Sequence, residues 1–152
     1  MISLFGFAPG TPPPGRFAVV DGLPHLLSEQ AGRRISRLAA HFEAVWCTGW
    51  EERAQEHLPQ LLGLECDPFP HLCFAGAAED PGRHWKLDAI DAHAGPDRPV
   101  AWIDDGHDER TREWARRRPG PTLLVPTDPA VGLTDEHVDE LEAWALQPGV
   151  RA

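Results

Sequence analysis

No stretch of this sequence reaches the roughly 18 consecutive apolar residues that a membrane-crossing helix needs. The opening MISLFGFAPG also lacks the basic flank and long apolar run of a secretory signal. These two absences predict a cytoplasmic protein with no membrane partner. Cysteine is scarce: Cys47, Cys66 and Cys73 are an odd number and include no CxxC pair, which speaks against a disulfide framework and against a tetrahedral zinc site. Cys66, His71 and Cys73 could be assembled into a metal site, although a buried thiol and loop residues in DPFPHLCF account for them more simply. Positive charge is short as well. Fourteen Lys plus Arg stand against 24 Asp plus Glu, a net charge of −10, which argues against a bulk electrostatic grip on nucleic acid or on an anionic membrane. Any phosphate must be met by local groups.

What remains has the composition of one folded domain. The 152 residues are 41% hydrophobic and 25% charged, and 16 prolines and 14 glycines put much of the chain in turns and loops. A chain of this length buries about 70% of the surface that its unfolded form exposes. The segment APGTPPPG reads as loop, because a triple proline fits neither a helix nor a central strand. Phe17 to Val20, then Asp21-Gly22, then His25 to Leu27 read as a small hairpin. Residues 1–27 are therefore expected to be loop and hairpin flap, and 28–147 an α/β core.

Within that core, Ala31, Ile35, Leu38, Ala39 and Phe42 recur at helical spacing, with Ser28 as the expected N-cap. Glu43 to Thr48 is an almost continuous apolar run that reads as a strand buried on both faces. Trp50 to Leu62 predicts a second helix, with acidic residues at its start, Gly63 just past its end and Pro59 as a kink point. Trp85 to Ala94 is a short helix, Val100 to Ile103 a buried strand ending in Asp104-Asp105, and about Asp108 to Arg118 an Arg-rich polar helix. Thr122 to Val125 is a further strand, and Thr134 caps a last helix. Three apolar strands alternating with helices predict an α/β fold: a parallel sheet covered on both faces, with its chemistry at the carboxyl ends of the strands.

At those ends lie Thr48-Gly49, Asp104-Asp105 and Thr127-Asp128. Two adjacent carboxylates after an apolar strand are costly unless solvated or bound by a cation such as Mg²⁺; equally, one caps the next helix while the other is merely wet. Lys86 opens a helix whose positive dipole end disfavours a cation, so an anion would relieve it; a solvated lysine beside Asp88 explains it too. Thr48 and the Gly49 amide can offer two donors to an oxyanion, or serve as a simple cap. Trp46, Trp85, Trp102, Trp114 and Trp144 read as packing residues, with Trp50 as the possible exception. The cluster Arg110, Arg112, Arg116, Arg117 and Arg118 reads as a solvated helix face.

The order of these motifs resembles motifs two to four of the haloacid dehalogenase (HAD) superfamily. More closely, VWCTGWEERA, HWKLDAI, AWIDD and TLLVPTDPAVGLT are similar to the compact actinobacterial HAD-like group related to the HAD domain of "Swiss army knife" RNA-repair proteins. The resemblance covers nearly the whole chain. It implies a three-layer sandwich with a HAD-like Rossmannoid sheet, no large cap, and Mg²⁺-dependent hydrolysis of a phosphorylated substrate. Thr48 and Lys86 would be catalytic, Thr48, Gly49 and Lys86 would bind the substrate phosphate, and Asp104 and Asp105 would hold Mg²⁺. Nucleic acid enters as a partner only through this family analogy.

One part departs from the pattern. Members begin with a strand ending in DxDG, whose first Asp is the nucleophile and whose second is the acid/base. MISLFGF resembles the continuation of such a strand, with Met1 where a valine would stand. Val19-Val20-Asp21-Gly22 mimics the motif but lacks the second acidic residue and falls in the hairpin, so Asp21 is not read as the nucleophile. The expectation is a longer gene product whose start was misplaced at a GTG codon, the present chain being incompetent. The rival is a degenerate, non-catalytic phosphate-binding or protein-interaction module. The first is favoured because the absent strand would be central, leaving two exposed apolar edges and a core cavity.

Overall fold

A computed structural model describes residues 15–64, 68–74 and 84–150. Its hairpin joins β1 (Arg16–Val20) and β2 (Leu23–Leu27), antiparallel and in register from Arg16 opposite Leu27 to Val20 opposite Leu23. The connecting pair Asp21-Gly22 has φ of 50° and 79°, the two left-handed residues of a type I′ turn, whose twist matches that of the strands it joins. The Asp21 carboxylate is ion-paired with Arg53, and the His25 ring lies edge-on to Trp50 at 4.7 Å. The flap is thereby tied down beside the Thr48–Trp50 turn.

Among the described residues five helices follow: α1 (Ala31–Ala39), α2 (Glu52–Leu62), α3 (Leu87–Ala94), α4 (Glu109–Arg117) and α5 (Asp135–Ala145). The N-cap of α1 is Gln30 and not Ser28. The Ser28 hydroxyl instead accepts the Gln30 amide at 3.4 Å, which turns the chain before the helix starts. α2 passes through Pro59 and ends at Gly63, whose φ of 65° is the left-handed C-cap conformation. α4 and α5 both begin with a complete capping box, Asp108 with Thr111 and Thr134 with His137.

β3 (Val100–Asp104) and β4 (Thr122–Pro126) form a parallel pair, Val100 opposite Thr122 and Asp104 opposite Pro126. Side chains alternate between the two faces of the pair. Ala101, Leu123 and Val125 pack with Leu38 of α1 and Val138 and Leu141 of α5. Val100, Trp102 and Leu124 pack on the other face with Leu87 and Ile90 of α3 and Trp114 of α4. Helices thus cover the parallel pair on both sides, which is why β3 and β4 read as unbroken apolar runs.

The expected strand over Glu43 to Thr48 is not a strand of the sheet. Trp46 makes an isolated parallel bridge with His71, donating its amide to Pro70 O at 2.8 Å and accepting from the Leu72 amide at 2.9 Å. In that geometry Val45 and Cys47 direct their backbone groups the opposite way, where no strand pairs with them among the described residues. β3 is in the same position. The Val100 amide donates to Pro121 O at 2.9 Å and the Asp104 carbonyl accepts from Thr127 N at 3.0 Å, so Ala101 and Ile103 turn theirs away from β4. Val45 and Cys47 pack against the same core as Trp102. Among the described residues, two unpaired edges therefore border one core.

No helix among the described residues is long and apolar enough to cross a membrane.

Candidate functional site

β3 delivers Asp104 to its carboxyl end, where three donors meet its carboxylate. Oδ2 is ion-paired with the Lys86 ammonium and accepts Trp102 Nε1 at 3.1 Å; Oδ1 accepts the Gly106 amide at 2.9 Å. The side chains of Lys86 and Asp104 are only 12% and 8% exposed. Burial pushes the Asp104 pKa up, but the Lys86 ammonium, the Gly106 amide and the Trp102 indole together hold it below the usual carboxylate range. Lys86 therefore answers a carboxylate from a different element, and its place before α3 is not explained by Asp88 alone. It is the sole lysine among the 14 Lys plus Arg of the chain, a signal that its motif position alone did not bring out.

Thr48 and Gly49 reach the same corner. The Cys47 thiol senses the charges of both Lys86 and Asp104, although burial dominates and pushes it up to about 11. A Cβ built on Gly49 would lie 3.6 Å from Trp85 Cη2. Thr48 stands between these two contacts. Its hydroxyl oxygen accepts the Trp50 amide at 3.4 Å and its carbonyl accepts the Glu51 amide at 3.0 Å, so the turn is fixed while the hydroxyl proton stays available. The Cys47–Gly49 stretch thus runs alongside the Lys86–Asp104 pair, Gly49 against Trp85 and Cys47 within reach of both charges; Asp105 follows Asp104 and is exposed.

Other candidates fall elsewhere. Asp21 is a turn residue ion-paired with Arg53, and Asp128 organises its own loop, accepting the Ala130 amide on Oδ1 at 2.7 Å. His71 meets Gln55 at 3.0 Å and Cys73 is an exposed free thiol, while Cys66 lies outside the described residues. On α4, Arg112 and Arg116 pair with Glu109, and Arg117 pairs with Glu113. Arg118 is different: its side chain is 4% exposed and paired with Asp91 at 3.2 Å, so it is structural and not part of a solvated stripe.

Two surroundings of the site were not legible in the sequence. Trp85 is 39% exposed and does not pack in the core as expected. It sits with its ring 4.6 Å from Phe74 and 5.0 Å from Lys86 Nζ. His107 lies edge-on to Trp102 at 4.8 Å, and neither of its buried ring nitrogens has a hydrogen-bond partner among the described residues. Burial, with Lys86 and His84 nearby, keeps its pKa low despite Asp104.

The carboxylates suit a hard cation in a limited way. Mg²⁺ takes one or two protein carboxylates and completes its octahedron with water and phosphate oxygens. Asp104 Oδ1 carries one donor and keeps a lone pair, and Asp105 is open to solvent. Among the described residues no group of three or more His, Cys, Asp or Glu could hold a metal ion. No protein-family model, curated protein or solved structure matches the chain.

Proposed function

We propose that this corner is the phosphate- and metal-binding part of a HAD-like, Mg²⁺-dependent phosphohydrolase. The observation that carries the reading is the buried Lys86–Asp104 pair at the carboxyl end of a parallel strand, with the Thr48-Gly49 turn beside it. Lys86 has two N–H donors beyond the one it gives Asp104, and they can take phosphoryl oxygens. The Thr48 hydroxyl and the Gly49 amide would donate to the same group. Bound at Asp104 and Asp105, Mg²⁺ would neutralise charge on the phosphoryl oxygens. The nucleophile would be an aspartate on a strand from outside the described residues, filling the space between the Val45–Cys47 edge and the Ala101–Ile103 edge. That strand would complete the three-layer sandwich.

Titration of the chain with inorganic phosphate in the presence of Mg²⁺ tests the reading. Binding is expected, lost in Lys86→Met and weakened in Thr48→Val and Asp104→Asn; phosphate binding that ignores Lys86→Met would sink it. A second reading, a non-catalytic phosphate-binding or interaction module, draws on one observation. Asp104 holds the Lys86 ammonium, the Trp102 indole and the Gly106 amide, a structural duty that makes it poorly suited to attack. The two separate on a chain extended with a DxDG-bearing strand before Ile2. Turnover of p-nitrophenyl phosphate that disappears when the first Asp of the motif becomes Asn means enzyme; phosphate binding without turnover means module.

A further inference from the structure

His84 is half-buried, and its ring is held on two sides. It stacks with Trp85 at 6.4 Å and an interplanar angle of 15°. It also stands edge-on to Trp102 at 5.2 Å, the residue whose indole Nε1 donates to Asp104. Nδ1 is used within the chain, accepting the Lys86 amide at 3.4 Å. A ring nitrogen that accepts carries no proton, so in the neutral imidazole the proton stands on Nε2, which is left as a donor. No acceptor meets Nε2 among the described residues. Nε2 lies beside the backbone of Gly106: a Cβ built there would be 3.9 Å from His84 Nε2 and 3.2 Å from Asp104 Oδ1. The bare Cα of Gly106 therefore leaves an opening with a fixed donor on one side and, on the other, the carboxylate that Lys86 pairs with.

We infer that His84 is a further phosphate-binding residue of this corner, its Nε2–H donating to an oxygen of the phosphoryl group that Lys86 holds. The inference rests on the phosphate reading of Thr48, Lys86 and Asp104 given above. A metal ion would need a ring lone pair, and the one this imidazole has is turned to the Lys86 amide. A phosphoryl oxygen needs a donor, and a hydrogen bond to an anion is stronger than one to a neutral group. Because the ring is already packed, little side-chain freedom is lost when the bond forms. In a chain of net charge −10, local donors of this kind have to do what bulk charge cannot.

The test follows the whole chain, isotope-labelled at its histidine nitrogens, by NMR as inorganic phosphate is added with Mg²⁺. Eight histidines are present, and His84→Phe identifies the signal by its loss. Expected are a proton on Nε2, a downfield shift of that proton on addition of phosphate, and a scalar coupling between Nε2 and phosphorus. In calorimetric titration His84→Phe, which keeps a flat ring against Trp85, should weaken phosphate binding roughly tenfold. His84→Gln, which restores an N–H, should recover part of that loss. Circular dichroism checks that both variants fold, and the coupling in the unaltered chain decides the matter if either does not. A His84 signal that bound phosphate leaves unmoved, or His84→Phe binding as tightly as the unaltered chain, overturns the inference; phosphate binding that is still lost in Lys86→Met then leaves the parent reading standing. Loss of the Nε2 proton on Mg²⁺ alone makes His84 a metal ligand and overturns the inference too. Absence of phosphate binding by the unaltered chain fails the parent reading and this one with it.

Discussion

Lys86 and Asp104 are charges taken largely out of water, and such a pair is held by what each does for the other more than by its net worth. Replacing Lys86 by Met leaves Asp104 buried with only the Trp102 and Gly106 donors. The expected loss is on the order of 3 kcal/mol of unfolding free energy, measured by urea denaturation. The double replacement Lys86→Met with Asp104→Leu should restore most of it. If the double variant is as unstable as the single one, the loss comes from packing and not from an unpaired charge. Cys47 gives a second residue-scale outcome. Burial raises its thiol from 9.0 to about 11, so the folded state keeps the proton while the unfolded state loses it. Stability therefore falls as pH rises from about 9 towards 11, and Cys47→Ala removes that part of the slope. The chain has no tyrosine to confound a melting series over that range.

At the scale of elements, the sequence was most readable where local chemistry decides the outcome. The Asp-Gly turn, the Gly63 C-cap and the Thr134 cap are each set by a few neighbouring atoms, and each appears where the residues put it. Asp108→Ala should cost about 1 kcal/mol, because it deprives the Thr111 amide of the acceptor now 3.0 Å away. Ser28→Ala should cost far less, since Ser28 caps no helix; equal losses in thermal unfolding would contradict this assignment. Long-range geometry was not readable. Nothing about Gly32 announces that a Cβ there would lie 1.8 Å from Leu62 O, yet this is how α1 crosses the end of α2. Gly32→Ala gains helix propensity of up to about 1 kcal/mol and still should destabilise by about 2 kcal/mol, because backbone must move. Likewise, nothing in the sequence marks Arg34 as a long-range contact. It clamps α5 by two bonds of 2.9 Å to Asp135 and one of 2.7 Å to the Leu133 carbonyl.

For the whole molecule, the run Glu43 to Thr48 has the composition of a buried central strand, but a strand also needs partners on both sides to be one. Trp46 has a single partner, His71, and the opposite side of Val45 and Cys47 has none among the described residues, so apolar character produced a bridge and not a ladder. Thr48, Lys86 and Asp104 stand out in the sequence because each lies at the end of an apolar run or the start of a helix; their surroundings, Trp85 above all, depend on tertiary packing that no periodicity encodes. The two open edges make a prediction in hydrogen exchange. Trp102 and Asp104 donate their amides to β4, while Ala101 and Ile103 face the other way, so the latter two should exchange at least tenfold faster although all four sit in one strand. Attaching an apolar strand ending in DxDG ahead of Ile2 should slow Ala101, Ile103, Val45 and Cys47 together and leave Trp102 unchanged. Slowing confined to one edge would mean that the strand adds to the outside of the sheet, and the nucleophile proposed above would then not reach the Lys86–Asp104 corner. Concerted slowing at both edges would mean that the strand enters between them, with its first aspartate at the carboxyl end of β3, as the proposed function requires.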